Sequence, residues 1–392
     1  MESNLKKFNV IDKSIAQRAA IIGGLFFGER VKIDFLDGSL GEDVLSAIRC
    51  AEELKTGKRK LYAGNSATAL RLVAGAAVGL GLEIEIYGDE SLNNRCMKKL
   101  VMLLRQMGAR VFGIERGRKV LPPIRVEKSV GLRAISFDNK NLSAQIKSAV
   151  LLAGFNLDEK SAIKERIKTR DHTELMLEYL GGFGNDEDVI LKIPYDISSA
   201  AFLIALGLLK GNCIEFDGIG INPTRVGFVE ILQKSGVDIR LEQTDFYGLE
   251  RVGKIIVKHA ASTMLEPICV DKNNLVGVID EIPILCVVAS FINGESIFKD
   301  LGVLRNKESD RVAEIYKMLK SFGVRVELSG DELRIEGGEF NAMISKPVII
   351  SKDHRIIMAA SVMAELLNGC EILHKECVKV SYPNFFKDIK YI

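Results

Sequence analysis

Residues 65–88 read NSATALRLVAGAAVGLGLEIEIYG. Polar residues that can cap a helix open the stretch, and small apolar side chains follow. Glycines at 79 and 81 then break the helix, and LEIEIY leaves as an alternating strand. A helix that is apolar nearly all round belongs inside a protein, not on its surface. The same order of signals recurs in KSIAQRAAIIGGLFFGERVKI (13–33), SAQIKSAVLLAGFNLDEKSAI (143–163), DISSAAFLIALGLLKGNCIEF (196–216), DEIPILCVVASFINGESIFKD (280–300) and DHRIIMAASVMAELLNGCEIL (353–373).

Between several of these lies a second kind of helix, charged on one face, that ends in glycine and runs into a strand. LVMLLRQMGARVFGI turns at Gly108, VEILQKSGVDIRLE at Gly236 and IYKMLKSFGVRVEL at Gly323. Glycine there supplies a left-handed cap, and the period-two pattern after it is a strand. Each unit therefore reads roughly as β-α-β-α-β-β. Six units divide into two groups of three, which predicts an α/β protein of two similar domains. Pro194 in LKIPYDISS and the lead-in VIDKS mark the seam. Hinges are expected near residues 12 and 194, with one domain over 13–193 and the other made of 1–12 plus 194–392. If the buried helices of each domain turn their starts toward the cleft between domains, that cleft becomes an anion trap.

The chain has 392 residues, 47% hydrophobic and 27% charged, enough for large cores. Its 54 basic and 52 acidic residues leave a net charge of +2, which argues against coating nucleic acid or a membrane surface. Anion binding must come from local clustering of cations. The cysteines at 50, 96, 213, 269, 286, 370 and 377 form no CxxC and no metal-ligand spacing, as expected in a reducing compartment. The longest uncharged apolar runs, Ile197–Leu209 and Ile282–Gly294, are too short to span a bilayer. MESNLKKFNVIDKS has no apolar signal region. A cytoplasmic globular protein is expected.

Several strings carry chemistry, and each has a plain structural alternative. Lys13, Ser14 and Arg18 open the first buried helix, where a cation is unfavourable unless an anion is shared. In RNKESDR (305–311), Lys307 and Arg311 are spaced to share a helix face, with Glu308 between them. A surface salt-bridge ladder would look the same. KDHR (352–355) leads straight into a buried helix, a costly place for charge unless it is paired. Asp280 and Glu281 precede another apolar helix, where an N-cap explains one of them. Arg95 sits in SLNNR, and Ser143 and Gln145 in SAQIKS. In GNSATALR (64–71) the first helical turn is built to meet an anion, yet Ala67 puts a methyl group there. P-loop, usable GxGxxG, HExxH and Ser-His-Asp patterns are all missing from the sequence. No metal is expected, and the chemistry falls to Lys, Arg, Asp and Glu acting on an anionic substrate.

DKSIAQR, GNSATALR, GDESLNNR, SAQIKSAVLLAG, RDHTELML, DISSAAF, NPTRVGF, LRNKESDRVAE, DHRIIMA and SYPNFF occur in this order along almost the whole chain. Together they resemble the 5-enolpyruvylshikimate-3-phosphate synthase family (3-phosphoshikimate 1-carboxyvinyltransferases) among the enolpyruvyl transferases. The resemblance implies two domains of three β-α-β-α-β-β repeats each, an inside-out α/β barrel architecture, with the active site in the interdomain cleft. It implies transfer of the enolpyruvyl group of phosphoenolpyruvate to the 5-hydroxyl of shikimate 3-phosphate through a tetrahedral adduct, without cofactor or metal. It also implies only small-molecule partners, with neither nucleic acid nor membrane, and a monomer. By position, Lys13, Ser14, Arg18, Ser143, Ala144, Gln145, Asp280 and Lys307 would meet shikimate 3-phosphate. Lys13, Asn65, Ala67, Thr68, Arg95, Gln145, Arg311 and Arg355 would meet phosphoenolpyruvate. Asp280, Glu308 and Lys13 would move protons.

The chain departs from the family pattern at Ala67 and Tyr195, where glycine is usual, and at Ala144, often serine. Lys352 stands where glycine is common. Val380 stands where some members have a lysine, with Lys379 expected on the opposite side of a strand. The Ala67 methyl group predicts tolerance of glyphosate, which occupies the phosphoenolpyruvate site in this family. Two alternatives stay open at this point: a UDP-N-acetylglucosamine enolpyruvyl transferase, and a catalytically silent anion-binding paralogue.

Overall fold

The computed structural model describes residues 8–140, 142–184, 187–258, 264–338, 347–367 and 369–392. The chain forms two compact units. One, here the N-terminal unit, comprises Ile11–Ile193 with Tyr247–Glu250; the C-terminal unit comprises Met1–Val10, Pro194–Phe246 and Arg251–Ile392.

The core of the N-terminal unit is built on three apolar helices. Lys13–Arg18 continues into the π-helix Ala19–Phe27, and Ala67–Gly79 and Ala144–Ala153 complete the set. Small side chains let the last two approach closely. A methyl group on Gly75 would lie 2.7 Å from the Cα of Ala149, and one on Gly79 would collide with the Leu152 carbonyl. The amphipathic helices Glu42–Lys55 and Lys98–Gln106 each keep one face buried. A four-stranded sheet runs in the order Lys60–Tyr62, Ile84–Tyr87, Lys119–Glu127, Arg110–Arg116; the first pair is parallel and the rest antiparallel. Two parallel pairs join Val31–Asp34 to Val189–Lys192 and Ser136–Asp138 to Ala162–Lys164.

The C-terminal unit repeats the plan. Its core helices are Ile197–Lys210, Ile282–Ser290 and His354–Leu366; every residue of the middle one is buried. A four-stranded sheet is ordered Cys269–Val270, Gly294–Phe298, Glu332–Gly337, Arg325–Ser329. A three-stranded sheet of Ile239–Tyr247, Glu250–Val257 and Ile214–Gly220 gains a parallel bridge from Tyr195 to Ile219. Val348–Ile350 pairs in parallel with Glu371–Leu373. The glycines that end the amphipathic helices have positive φ: 94° at Gly108, 91° at Gly236 and 78° at Gly323. Each is the left-handed cap that its sequence required.

The apolar helices with sheets of mixed direction agree with the expected α/β fold class, and one detail differs. Among the described residues the full β-α-β-α-β-β order is present in three repeats, those opening at Lys60, Tyr195 and Cys269. Among the described residues the other three repeats contribute parallel pairs; Glu42–Lys55, for example, runs through Thr56–Arg59 straight into the next repeat. Lys379 and Val380 lie on a 3-10 helix, Lys375–Val380, and not on a strand. Lys379 is exposed and Val380 half-buried, so their relation is set by a threefold turn and not by the two faces of a sheet. No described helix is long and apolar enough to cross a membrane.

The helix contact gives a direct test. Gly75→Ala forces backbone against backbone and should destabilise the protein by ~1–3 kcal/mol, read as a lower urea midpoint. Gly154→Ala, whose added methyl would meet its nearest neighbours at 3.4–3.7 Å, should leave the midpoint almost unchanged.

Candidate active site

Burying a helix start buries its first-turn N–H groups, so each must find an acceptor. In the N-terminal unit Asp12 accepts from Ile15 N at 2.9 Å, Ser66 from Ala69 N at 3.1 Å and Ser143 from Ile146 N at 3.4 Å. Side chains in and around the first turns of these helices tie the three together. Ser66 Oγ donates to Gln17 Oε1 at 2.6 Å, and Gln145 donates to Thr68 Oγ1 at 2.8 Å while its Oε1 accepts from Arg71. Ala67, the first residue of its helix, is buried between capping Ser66 and half-buried Thr68.

The cations are held around these starts. Lys13 Nζ lies 3.0 Å from the Asp43 carboxylate. Arg95 donates to Asn65 Oδ1 at 2.6 Å, and Asn65 donates to Asp89 at 2.7 Å. Arg18 is 2% exposed. Its guanidinium donates to Thr173 Oγ1 at 2.9 Å, Ser148 Oγ at 3.1 Å and the Ser14 carbonyl at 2.7 Å. Burial pushes Arg18 down to about 10; Glu174 opposes the shift and the like charge of Arg170 adds to it. Arg170 itself donates to Ser14 Oγ at 3.4 Å. Arg18 and Arg170 thus converge on Ser14, one at its carbonyl and the other at its hydroxyl.

The C-terminal unit is organised around Arg311, which is 1% exposed. Its Nε donates to Asp353 at 2.8 Å, one NH2 group donates to Glu308 at 2.6 Å and the other to Asp280 at 3.4 Å. Burial disfavours its charge, but Asp353, Glu308 and Asp280 outweigh that and hold Arg311 above the usual arginine range. Asp280 Oδ1 is also 3.7 Å from Arg355 Nε and 3.9 Å from Lys307 Nζ. Arg355 NH1 donates to the Asp280 carbonyl at 3.0 Å. Asp353 is fully buried; it caps its own helix through Arg355 N at 3.0 Å and accepts from Ser309 Oγ at 3.1 Å.

The sequence-derived residues thus fall into two sets. Arg18 ends the helix Lys13–Arg18 and reaches back to the Ser14 carbonyl, and Lys13, Ser14, Asn65, Ala67, Thr68, Arg95, Ser143, Ala144 and Gln145 stand at helix starts or adjoining loops of the N-terminal unit. Asp280, Lys307, Glu308, Arg311 and Arg355 do so in the C-terminal unit. One expectation fails in detail. Lys307 and Arg311 share no helix face, because the helix begins at Arg311 and Lys307 lies in the turn before it. They converge through Asp280 instead. Sequence reasoning also missed Asp43, Arg170 and Asp353. Arg170 and Asp353 stand inside RDHTE and KDHR, strings already singled out, whereas Asp43 looks like any acid in the first turn of an outer helix. Among the described residues no group of three or more His, Cys, Asp or Glu is disposed to hold a metal.

The family model EPSP synthase (3-phosphoshikimate 1-carboxyvinyltransferase) matches residues 37–389. The 3-phosphoshikimate 1-carboxyvinyltransferase of Caldicellulosiruptor bescii is 37% identical, over 96% of this chain and 93% of its own. The one from Lactococcus lactis is 31% identical, over 97% and 95%. The solved EPSP synthase from Acinetobacter baumannii superposes with a TM-score of 0.78 at 30% identity, covering 98% of this chain and 95% of its own. The enolpyruvyl transferase NikO from Streptomyces tendae shares the fold, with a TM-score of 0.70 at 14% identity over 99% and 94%. With the family's match running through both units and relatives alike over nearly their full length, the chain belongs to the EPSP synthase family, the 3-phosphoshikimate 1-carboxyvinyltransferases.

Proposed function

We propose that the chain's two polar sets divide the family reaction between them: transfer of the enolpyruvyl group of phosphoenolpyruvate to the 5-hydroxyl of shikimate 3-phosphate, with release of phosphate. The observation that carries this reading is Asp280, a carboxylate whose Oδ1 lies within 4 Å of Lys307, Arg311 and Arg355. A carboxylate so surrounded by cations is a weak base. It regains strength when anionic substrates take up their charge, so proton abstraction is coupled to binding.

The two substrates bring two phosphates and two carboxylates, roughly five to six negative charges near neutrality. Lys13, Ser14, Arg18, Ser143, Ala144 and Gln145, with Asp280 and Lys307, take shikimate 3-phosphate, and Arg170 joins them through Ser14. Lys13, Asn65, Ala67, Thr68, Arg95, Gln145, Arg311 and Arg355 take phosphoenolpyruvate. Asp280 accepts the 5-hydroxyl proton as that oxygen attacks C2 of phosphoenolpyruvate. Glu308, working with Lys13, delivers a proton to the methylene carbon, and the product is a tetrahedral adduct with a methyl group. Removing a methyl proton and breaking the C2–O bond to phosphate, with a proton passed to the leaving oxygen, restores the enol ether. Holding both substrates in register supplies ~7–11 kcal/mol of the barrier reduction in favourable cases.

The two units correspond in this reading to the two enolpyruvyl-transferase domains, and the chain acts as a cytoplasmic monomer on small molecules. The match to the EPSP synthase family speaks against UDP-N-acetylglucosamine, and the Asp280, Glu308 and Arg311 cluster argues against a silent paralogue.

Two measurements test the reading. Asp280→Asn and Glu308→Gln should each lower kcat for phosphate release by about 10²–10⁴-fold while shikimate 3-phosphate still binds. Native turnover in either would remove that residue from proton transfer. The buried methyl of Ala67 should obstruct extended glyphosate more than compact phosphoenolpyruvate. Ala67→Gly should therefore raise glyphosate sensitivity by roughly ten- to a hundred-fold with little change in the phosphoenolpyruvate KM. Equal inhibition of both proteins would refute the tolerance.

A further inference from the structure

Ser143 and Arg170, both assigned above to shikimate 3-phosphate, lie beyond the regular elements of the N-terminal unit. Ser143 precedes the helix Ala144–Ala153, and Arg170 lies between the strand Ala162–Lys164 and the helix His172–Gly181. Backbone pairing alone does not fix where their side chains stand.

A partly buried polar network connects them. Ser136–Asp138 and Ala162–Lys164 are parallel, so both strands end on the same edge, one delivering Asn139 and the other Glu165. Glu165 Oε1 accepts from Asn139 Nδ2 at 2.7 Å and from Thr169 Oγ1 at 2.6 Å. Its Oε2 accepts from Lys147 Nζ at 3.1 Å and from Thr169 N at 3.4 Å. Asn139 passes the constraint on, since its Oδ1 accepts from Ser143 N at 3.2 Å and its Nδ2 donates to the Ser143 carbonyl at 3.4 Å. Thr169 is the residue before Arg170. Lys147, 3% exposed, closes the network by reaching Glu174 at 2.7 Å and the Thr169 carbonyl at 3.5 Å. Burial alone would raise the Glu165 carboxyl, but hydrogen bonds from Thr169, Asn139 and Lys147 prevail and hold it below the ordinary carboxylate range.

We propose that Glu165 is a positioning residue for shikimate 3-phosphate, one carboxylate that sets Ser143 and Arg170 in register through Asn139 and Thr169. It touches no substrate. The proposal rests on the reading that Ser143 and Arg170 meet that substrate. A glutamine in its place keeps the shape but turns one acceptor oxygen into a donor, and so opposes the donors from Asn139, Thr169 or Lys147.

Steady-state kinetics separate this role from a merely structural one. Glu165→Gln should raise the KM for shikimate 3-phosphate about tenfold and leave kcat and the phosphoenolpyruvate KM within about twofold. Thr169→Val, nearly the same shape without the hydroxyl, should do likewise, and Thr169→Ser should restore the native KM. A lower kcat or melting temperature with an unchanged shikimate 3-phosphate KM in both Glu165→Gln and Thr169→Val would overturn the proposal. Arg170→Ala distinguishes its failure from that of the underlying reading. If Arg170→Ala raises the KM and the Glu165 and Thr169 variants do not, positioning is wrong and the half-site stands. If Arg170→Ala also leaves the KM unchanged, the half-site assignment falls and the proposal with it. Less-than-additive effects in the double variant Glu165→Gln/Arg170→Ala are expected, and strict additivity would count against a shared path.

Discussion

A helix that is apolar on all sides has to be buried whole, and burying it takes its unpaired first-turn N–H groups out of water. That constraint organises this molecule. Five of the six core helices meet it with an aspartate or serine immediately before the helix: Asp12, Ser66, Ser143, Asp196 and Asp353. Only the helix beginning at Ile282, preceded by Asp280 and Glu281, has no side-chain cap. The polar groups that folding demands therefore stand at the helix starts, where the helix dipole favours anions. Chemistry is grafted onto positions that stability had already made polar. Asp353 illustrates the overlap, since the same carboxylate caps its helix and holds Arg311.

The two units treat their buried arginines in opposite ways. Arg311 is surrounded by Asp353, Glu308 and Asp280, and its charge is secured against burial. Arg18 is held mainly by the hydroxyls of Thr173 and Ser148 and a backbone carbonyl, with Arg170 nearby, and burial weakens it. The first arrangement makes a rigid scaffold for carboxylates that must move protons. The second leaves Arg18 without a direct carboxylate hydrogen bond among those described, and that suits a phosphate arriving from solvent.

The close contact of the helices Ala67–Gly79 and Ala144–Ala153 serves both ends. Gly75 and Gly79 let the backbones approach, and with the helices seated the side chains at their starts can meet, Gln145 reaching Thr68 and Arg71. Core packing sets the register and the polar residues inherit it. A methyl group added at Gly75 would act on the site only through this register, whereas the methyl of Ala67 sits at the helix start itself.

Periodicity and punctuation were enough to identify the repeated pairing of buried and amphipathic helices, the glycine caps at 108, 236 and 323, and the polar helix starts. Those signals are local, arising from a residue and its neighbours within about a turn or two. The same locality explains what stayed hidden. Nothing near Asp43 announces that it will meet Lys13, because that pairing is a product of helix packing across thirty positions. Lys307 and Arg311 looked like neighbours on one helix face until the helix proved to start at Arg311, and only the fold brings both to Asp280. The sequence by itself determined which segments are buried, where their helices begin and which residue types stand there. Tertiary structure alone decided which charges meet, because Coulomb and hydrogen-bond energies depend on distance in space and not along the chain.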